Sequence, residues 1–377
     1  MNNGIAIISS VRTPTGLMDG VLKNLTEQEL ASRVMTEAAQ KAGISPSSLD
    51  GVILGVSKQT SNPSNCARHA ALLARFPAEL SAYTVQRQSA SGLQAIYCAC
   101  LNIRSNYARL VMAGGCESAS NMPIEIRDAR YSFGSSTRIN FDMEKIHQIG
   151  AQPRELYGEL KGSVIAERLA IRHNISHKMK EEYAEMSLEK AKQNGSASVL
   201  TLEVRIGKKT EYVSCDQLVN KSCSLPLLAD GAAILLLAKK PMASRDTVLA
   251  EILDIYTAAG APDRPEETIY KALAHVLDKN GLTIEQLDRL ELGEISAVCS
   301  IAVLKLLTEA GVGQKHLGHI VNTNGGMLAY GNTWGASGSI MLDRLIHDLR
   351  KAGGGYGASA VFAEGGQAMA ILVRVNG

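Results

Sequence analysis

The feature that most constrains this chain is that it repeats itself. Gly43-Ile44-Ser45 is followed by Leu49-Asp50 and then Leu54-Gly55; Gly281-Leu282-Thr283 is followed, at the same spacing, by Leu287-Asp288 and then Leu292-Gly293. A helical stretch ending in Lys41-Ala42-Gly43 or Lys279-Asn280-Gly281 precedes each. Each half then has a strand, a small-residue turn and a helix: Val85 to Ser91-Gly92 in one, Val321 to Ser337-Gly338 in the other. Each half closes with paired glycines, Gly114-Gly115 and Gly365-Gly366. Three matches in the same order imply a duplicated supersecondary unit, so the fold must accommodate two similar cores.

The unit is of the α/β kind. Strand-like runs at Ile5–Ser9, Val52–Gly55, Leu110–Ala113, Ala232–Ala238, Leu290–Leu292, His319–Val321, Ala358–Phe362 and Ala368–Val375 are continuous apolar stretches, the pattern of strands covered on both faces. Between them lie helical patterns, from about Glu27 to Lys41 and from Gly92 through Leu93, Ile96, Cys100 and Ile103. The stretch from Ser118 to Lys240 has no counterpart in the other half. It carries Arg127, Arg130, Arg138, Arg154, several histidines and an amphipathic helix at about Lys178–Gln193, and reads as an inserted cap of the kind that shapes a pocket. The expected division is 1–117 (with about 248–262), 118–247 for the insertion, and 263–377.

Composition excludes several classes of function. A chain of 377 residues exceeds one small core. Lys+Arg at 39 against Asp+Glu at 37, with aromatics at 4%, offers neither a basic surface nor a stacking platform, so no nucleic-acid or membrane partner is expected. The first residues lack a basic stretch followed by a long apolar core, and the longest apolar run, Gly231 to Ala238, is too short to span a bilayer. Seven scattered cysteines, without a Cys-x-x-Cys, suit a reduced cytoplasmic protein with no metal site and no permanently bound cofactor.

The turn Gln86-Arg87-Gln88-Ser89-Ala90-Ser91-Gly92 joins a strand to a helix. Ser89 is placed near a helix N-terminus, where backbone N–H groups favour developing negative charge. The ordinary reading of Ser89 or Ser91 there is a helix N-cap.

Val11-Arg12-Thr13-Pro14, Asn65-Cys66-Ala67-Arg68, Arg87 to Gln94, Gly114-Gly115-Cys116-Glu117-Ser118, Asp230-Gly231-Ala232-Ala233 and the segment from Val321-Asn322 to Gly338 resemble thiolase motifs, in thiolase order and over nearly the whole chain. The resemblance implies a duplicated thiolase fold, five-layered α-β-α-β-α, with an inserted loop domain, a dimer or tetramer, and chemistry on coenzyme A thioesters. Such chemistry needs an acyl-accepting nucleophile, a base that activates it, a second acid/base at the attacking carbon, and donors to the thioester oxygen.

At each of these the chain departs from the family. Ser89 stands at the nucleophilic cysteine position, and an alcohol ionises far less readily than a thiol of pKa about 8.5. Gly331-Asn332-Thr333 replaces Gly-His-Pro, and asparagine takes up no proton near neutrality. Phe362-Ala363-Glu364-Gly365-Gly366 replaces Cys-x-Gly-Gly, and Gly293-Glu294-Ile295-Ser296 replaces Asn-Glu-Ala-Phe. Expected coenzyme A contacts change too. Pro226 stands where the family has a serine, after Ser224-Leu225, and Leu160-Lys161-Gly162 replaces His-Met-Gly. A single exchange at Ser89 does not account for all of these.

Two readings follow. In the first, Ser89 accepts an acyl group from acyl-CoA or an acyl carrier, Asn332 orients it, and Glu294 and Glu364 are the candidate bases. Backbone donors near Ser89 and Glu364 serve the oxyanion, with Gly293, Phe362, Gly365 and Gly331 as pocket walls. Glu364 either enters the pocket or faces solvent. In the second, the chain is a non-catalytic binding protein, or the partner of an active relative in a hetero-oligomer. His319, His147 and His173 are weaker candidate bases. Cys98, Cys100 and Cys116 read as structural, and Tyr330 and Trp334 as fillers of the substrate space.

Overall fold

The computed structural model describes residues 4–59, 63–123, 151–194, 199–240 and 248–377. In chain order the elements are β1 (Ile5–Arg12), β2 (Gly16–Leu17), α1 (Glu27–Ala42), β3 (Gly51–Gly55), α2 (Cys66–Leu73), β4 (Ala82–Val85), α3 (Ser91–Arg104) and β5 (Leu110–Glu117). After these come α4 (Arg154–Tyr157), α5 (Gly162–Arg172), α6 (His177–Asn194), β6 (Leu202–Ile206), β7 (Lys209–Val213) and β8 (Ala229–Lys239). The chain continues with β9 (Ala250–Ala259), α7 (Pro265–Asp278), β10 (Arg289–Leu292), α8 (Ala297–Glu309) and α9 (Gln314–Ile320). It ends with α10 (Met327–Tyr330), α11 (Ser337–Lys351), β11 (Gly355–Ala363) and β12 (Gln367–Val375). Arg127, Arg130, Arg138 and His147 lie outside the described residues.

The sheet runs β4-β3-β5-β8-β1-β9-β12-β11-β10, an order that mirrors itself about the β1/β9 join. On one side β3 pairs in parallel with β4 and β5, and β5-β8-β1 is antiparallel; on the other, β10 pairs in parallel with β11, and β11-β12-β9 is antiparallel. Ile5–Ile7 against Ala250–Ile252 makes the join. The repeat is visible in detail. Gly43 (φ +63°) and Gly281 (φ +65°) end α1 and α7 in the left-handed conformation that suits glycine. The Asp50 carboxylate accepts from Leu110 N–H, and the Asp288 carboxylate from Tyr356 N–H, so each motif aspartate pins the start of the neighbouring parallel strand.

Residues on alternate faces of the strands fill separate cores, as the period of two requires. Val52 and Leu54 of β3, with Ile234 and Leu236 of β8, pack under α1 and α2. Ile53, Leu235 and Leu237 face α3 and α11, which also cover Met369, Ile371 and Val373 of β12. Ala368, Ala370 and Leu372 of β12 face α7 and α8. Five layers result: α1/α2, a sheet half, α3/α11, the other sheet half, α7/α8.

Three sequence expectations change. His319–Val321 is not a strand: α9 runs through Ile320, and Val321 alone makes a parallel bridge to Leu290, in the place that β4 holds in the first half. Residues 229–239 do not belong to the inserted cap. β8 is a central strand, because its side chains are apolar on both faces. β9 was not anticipated, since Glu251 and Asp254 interrupt its apolar run. Both are buried, Glu251 against Lys240 (2.5 Å) and Arg374 (2.7 Å), and Asp254 against Lys279 (3.0 Å).

The two halves meet where α3 and α11 begin. A Cβ on Gly115 would sit 2.3 Å from Gly335 O, one on Gly55 2.1 Å from the Ser91 carbonyl carbon, and one on Gly335 2.6 Å from Ser57 N. The obstructing atoms are backbone. At the same point the buried Glu117 carboxylate accepts from the N–H groups of Ser57 (2.8 Å), Lys58 (3.1 Å) and Gly335 (2.9 Å). Burial pushes its pKa up to about 7 in spite of these donors.

Gly115→Ala is therefore expected to lose about 3 kcal/mol in urea unfolding, while Gly51→Ala, whose Cβ would meet only Ser81 O at 3.7 Å, changes stability by less than about 1 kcal/mol. The folded Glu117 pKa of about 7 lies above the unfolded value of about 4.3, so between them the native state holds more protons. Its contribution is full below the unfolded pKa and is lost as pH rises through the folded one. In the wild type minus Glu117→Gln difference, stability should fall by about 3 kcal/mol from pH 4 to pH 8; the separately raised Glu291, at about 8, cancels there. A flat difference would contradict the assignment.

Candidate active site

Ser89 lies at the C-terminal edge of the first sheet half, between β4 and α3, and is 6% exposed. The turn is sharp: Gln88 adopts φ +47°. Its closure falls to Ser91, whose hydroxyl donates to Gln88 O (2.6 Å) and accepts from Arg87 N–H (2.8 Å). Ser89 Oγ has no hydrogen bond from any described residue, and α3 has Ala90 at its N-cap position. Neither serine caps α3: Ser91, its first residue, closes the turn, and Ser89 is left available beside the helix start.

Across from this turn is the β11–β12 hairpin. Arg87 donates to Gln94 (2.7 Å) and to the side-chain oxygen of Gln367, next to the hairpin's glycines. Gly365 (φ +85°) and Gly366 (φ +79°) supply the bend. Glu364 is half-buried there. Burial raises its carboxyl pKa, and the Lys58 ammonium pulls it partly back. Lys58 also lies over the Trp334 ring, 4.8 Å from its centroid. Glu117 holds both Lys58 and the turn after Trp334 by their backbones. The alternative that Glu364 faces open solvent is thus not what the fold gives.

Asn332 is fixed rather than free. Its side-chain oxygen accepts from Trp334 N–H (2.9 Å) and Ser337 Oγ (3.0 Å), and its backbone pairs with Leu227 O (2.7 Å) and Ala229 N–H (3.0 Å). Gly331 (φ +85°) packs so that a Cβ would lie 2.7 Å from that of Ala229. The segment Ser224-Leu225-Pro226-Leu227 accordingly runs beside Asn332. Ser224 O also accepts from Ala297 N–H (2.8 Å) at the head of α8, close in sequence to Gly293-Glu294-Ile295-Ser296. Gly293 N–H in turn donates to Ala360 O (2.8 Å). Phe362 is 3% exposed and joins the apolar cluster under α7 and α8, against which Leu160 and Ile295 also pack. It fills core instead of offering a proton.

Glu294 corrects an expectation. It was a candidate base, but it is 1% exposed and accepts four hydrogen bonds: Tyr183 OH (3.1 Å) and Asn322 Nδ2 (2.9 Å) on one oxygen, Ser187 Oγ (2.9 Å) and Leu328 N–H (3.0 Å) on the other. A carboxylate so saturated anchors α6 to the second half and has no free lone pair for substrate. His319 is exposed on α9 and bonds its own helix at Lys315 O, and His173 pairs with Glu266 (3.0 Å), so neither reaches the Ser89 turn. Cys100 is core, its thiol pushed up to about 12 by burial. Buried Cys116 lies 3.7 Å from the Cys66 sulfur. Tyr330 is core too, its hydroxyl donating to Asn324 O (2.6 Å) and its ring under Arg344 at 3.7 Å. Among the described residues no cluster of His, Cys, Asp or Glu suits a metal, and no helix is long and apolar enough to cross a membrane.

Sequence reasoning overlooked Lys58. It lies three residues beyond β3, outside every motif, and only the fold carries it over Trp334 and toward Glu364. Glu117 lay within a quoted motif, but its role needed the three donors that converge on it.

Comparison with known proteins agrees with this fold. Residues 5–230 match the thiolase N-terminal domain model and residues 246–375 the thiolase C-terminal domain model. The chain is 28% identical over 401 aligned residues to the mitochondrial 3-ketoacyl-CoA thiolase of Homo sapiens, covering 98% of each, and 27% identical to an acetyl-CoA acetyltransferase of Syntrophomonas wolfei, covering 99% of this chain and 100% of that one. The Bacillus anthracis acetyl-CoA acetyltransferase structure superposes with TM-score 0.88 at 26% identity, covering 99% of both chains. The human mitochondrial 3-ketoacyl-CoA thiolase in complex with CoA superposes with TM-score 0.86 at 27% identity, covering 99% of this chain and 98% of that one. With residues 5–230 and 246–375 matched by the two domain models and 99% of the chain covered in superposition, the chain belongs to the thiolase family.

Proposed function

We propose that this chain is an acyltransferase that takes the acyl group of a thioester, a coenzyme A ester in the first instance, onto Ser89, and that it does not carry out ordinary thiolysis. Ser89 Oγ attacks the thioester carbonyl carbon; the carbon–sulfur bond breaks and the thiol leaves; the serine proton passes to Glu364 and from there to the departing sulfur. The products are an acyl-serine and a free thiol, and an acceptor then takes the acyl group. Water-excluding walls come from Trp334 and the Gly365-Gly366 hairpin, and the N-terminus of α3 favours the oxyanion.

The observation that carries this reading is the division of labour between Ser91, which closes the turn, and Ser89, which is left without a described partner. The raised pKa of Glu364 supports its part, because a carboxyl poised nearer neutrality exchanges protons more readily at working pH. Ordinary carbon–carbon cleavage is disfavoured by the residues at the other proton-transfer positions: Asn332 has its acceptor oxygen occupied and Phe362 has no proton to give.

A second reading, a non-catalytic thioester-binding or partner subunit in a homo- or hetero-oligomer, is favoured by the saturation of Glu294, which leaves Glu364 as the single carboxylate for the chemistry.

Intact-protein mass spectrometry after incubation with acetyl-CoA and longer acyl-CoA esters separates the two. Acyltransfer predicts an adduct of one acyl group that is absent in Ser89→Ala and forms about a hundredfold more slowly in Glu364→Gln. No adduct with any ester, alongside intact coenzyme A binding, would give the binding role. Acetoacetyl-CoA thiolysis should be undetectable in wild type and should stay so in Ser89→Cys, because the second acid/base position is still Phe362.

A further inference from the structure

One cavity lies away from Ser89. It occupies about 510 Å³ between α6, α8 and α9, within the size range of small-molecule sites. Its walls are Met179, Tyr183 and Met186 from α6, Ile301 and Leu304 from α8, and Leu317 from α9. Two unbranched methionines on one wall give a surface that adapts to an aliphatic guest. Two cations line the same space. Lys190 donates to Val321 O (2.9 Å) and Lys305 to His173 O (2.6 Å), which uses one N–H of three on each. Among the described residues neither has a carboxylate within ion-pair distance. Of the carboxylates that line the cavity, Glu294 is saturated by its four donors and attracts Lys190 only through space, as does Glu291, and Glu309, one turn beyond Lys305 on α8, makes no ion pair with it.

We infer that this cavity is a binding site for an aliphatic carboxylate, its chain among the methionine and leucine side chains and its carboxylate at Lys190 or Lys305. An apolar space of this size with two unpaired ammonium groups at its wall matches an amphiphile of one negative head and one apolar tail. A neutral lipid would leave the cations unpaired, and a compact anion would leave the apolar wall wet. The site is separate from the thioester site and does not rest on the acyltransferase reading. Its wall does share Tyr183, Ser187 and Asn322 with the bonds that hold Glu294, next to Gly293.

The test is calorimetric titration of the full chain with decanoate and, separately, decan-1-ol. Wild type and Ser89→Ala should each bind one decanoate with equal affinity. Leu304→Trp, whose indole would occupy the cavity, should bind at least tenfold more weakly, as should Met186→Trp, which fills it from the opposite wall at a position already 40% exposed and so tolerant of bulk. The double change Lys190→Met with Lys305→Met should weaken decanoate about tenfold, the scale of one charge-assisted hydrogen bond, and leave decan-1-ol unchanged. Absence of saturable decanoate binding in wild type would overturn the inference. So would binding that survives both tryptophan variants, binding lost in Ser89→Ala, or equal loss of decanoate and decan-1-ol in the lysine variant.

Discussion

Everything in this molecule depends on two helix starts being allowed to touch. The chain at Gly335 comes within backbone contact of Gly92, Gly115 and the Ser57 amide, and no side chain fits between them. That approach brings the turn that ends in Ser91 against the turn that holds Asn332 and Trp334, one from each half of the duplication. Steric exclusion permits the approach, and Glu117 directs it, because three backbone N–H groups from both halves converge on one buried carboxylate. Burying a carboxylate is costly unless donors meet it, and these three join the loops while offsetting only part of that cost, since the Glu117 pKa stays at about 7.

The other buried charges divide by how many donors they have. Glu294 has four and is part of the framework. Asp216, in the segment after β7, is gripped in bidentate fashion by fully buried Arg12 (2.7 and 2.9 Å) and lies 3.5 Å from Arg344. Burial alone would raise its pKa, but the two guanidinium groups outweigh it and hold it at about 2. This cluster ties the inserted segment to β1 and α11, since losing one partner would leave a bare charge inside the protein. Glu364 has no such set of donors among the described residues and faces Lys58 only through space, so its carboxyl is raised by burial without being fixed by hydrogen bonds.

Much of this was legible in the residues. The helices at Glu27 and Ser91, the strands at Val52, Leu110, Leu290 and Ala368, and the repeat itself follow from apolar periodicity and from glycines placed where φ must be positive. The failures share a cause. His319–Val321 reads as a strand because the run is apolar, yet α9 claims it when the following backbone needs only one bridge at Val321. β9 hides because Glu251 and Asp254 look exposed until Lys240, Arg374 and Lys279 arrive from elsewhere in the chain. Glu294 looked like a free base because its four donors are spread over residues 183 to 328.

The sequence by itself determined the duplicated α/β architecture and the limits that Asn332 and Phe362 set on proton transfer. Local spacing and residue type suffice for both: periodicity selects the element, and a phenyl ring or an amide cannot move a proton wherever it sits. Only the tertiary structure decided which serine closes the turn before α3, which carboxylate is saturated, and that Lys58 stands over Trp334. Those outcomes depend on hydrogen-bond partners and burial supplied by segments far apart in the chain, and burial and partners, more than residue type, set what a polar side chain is free to do.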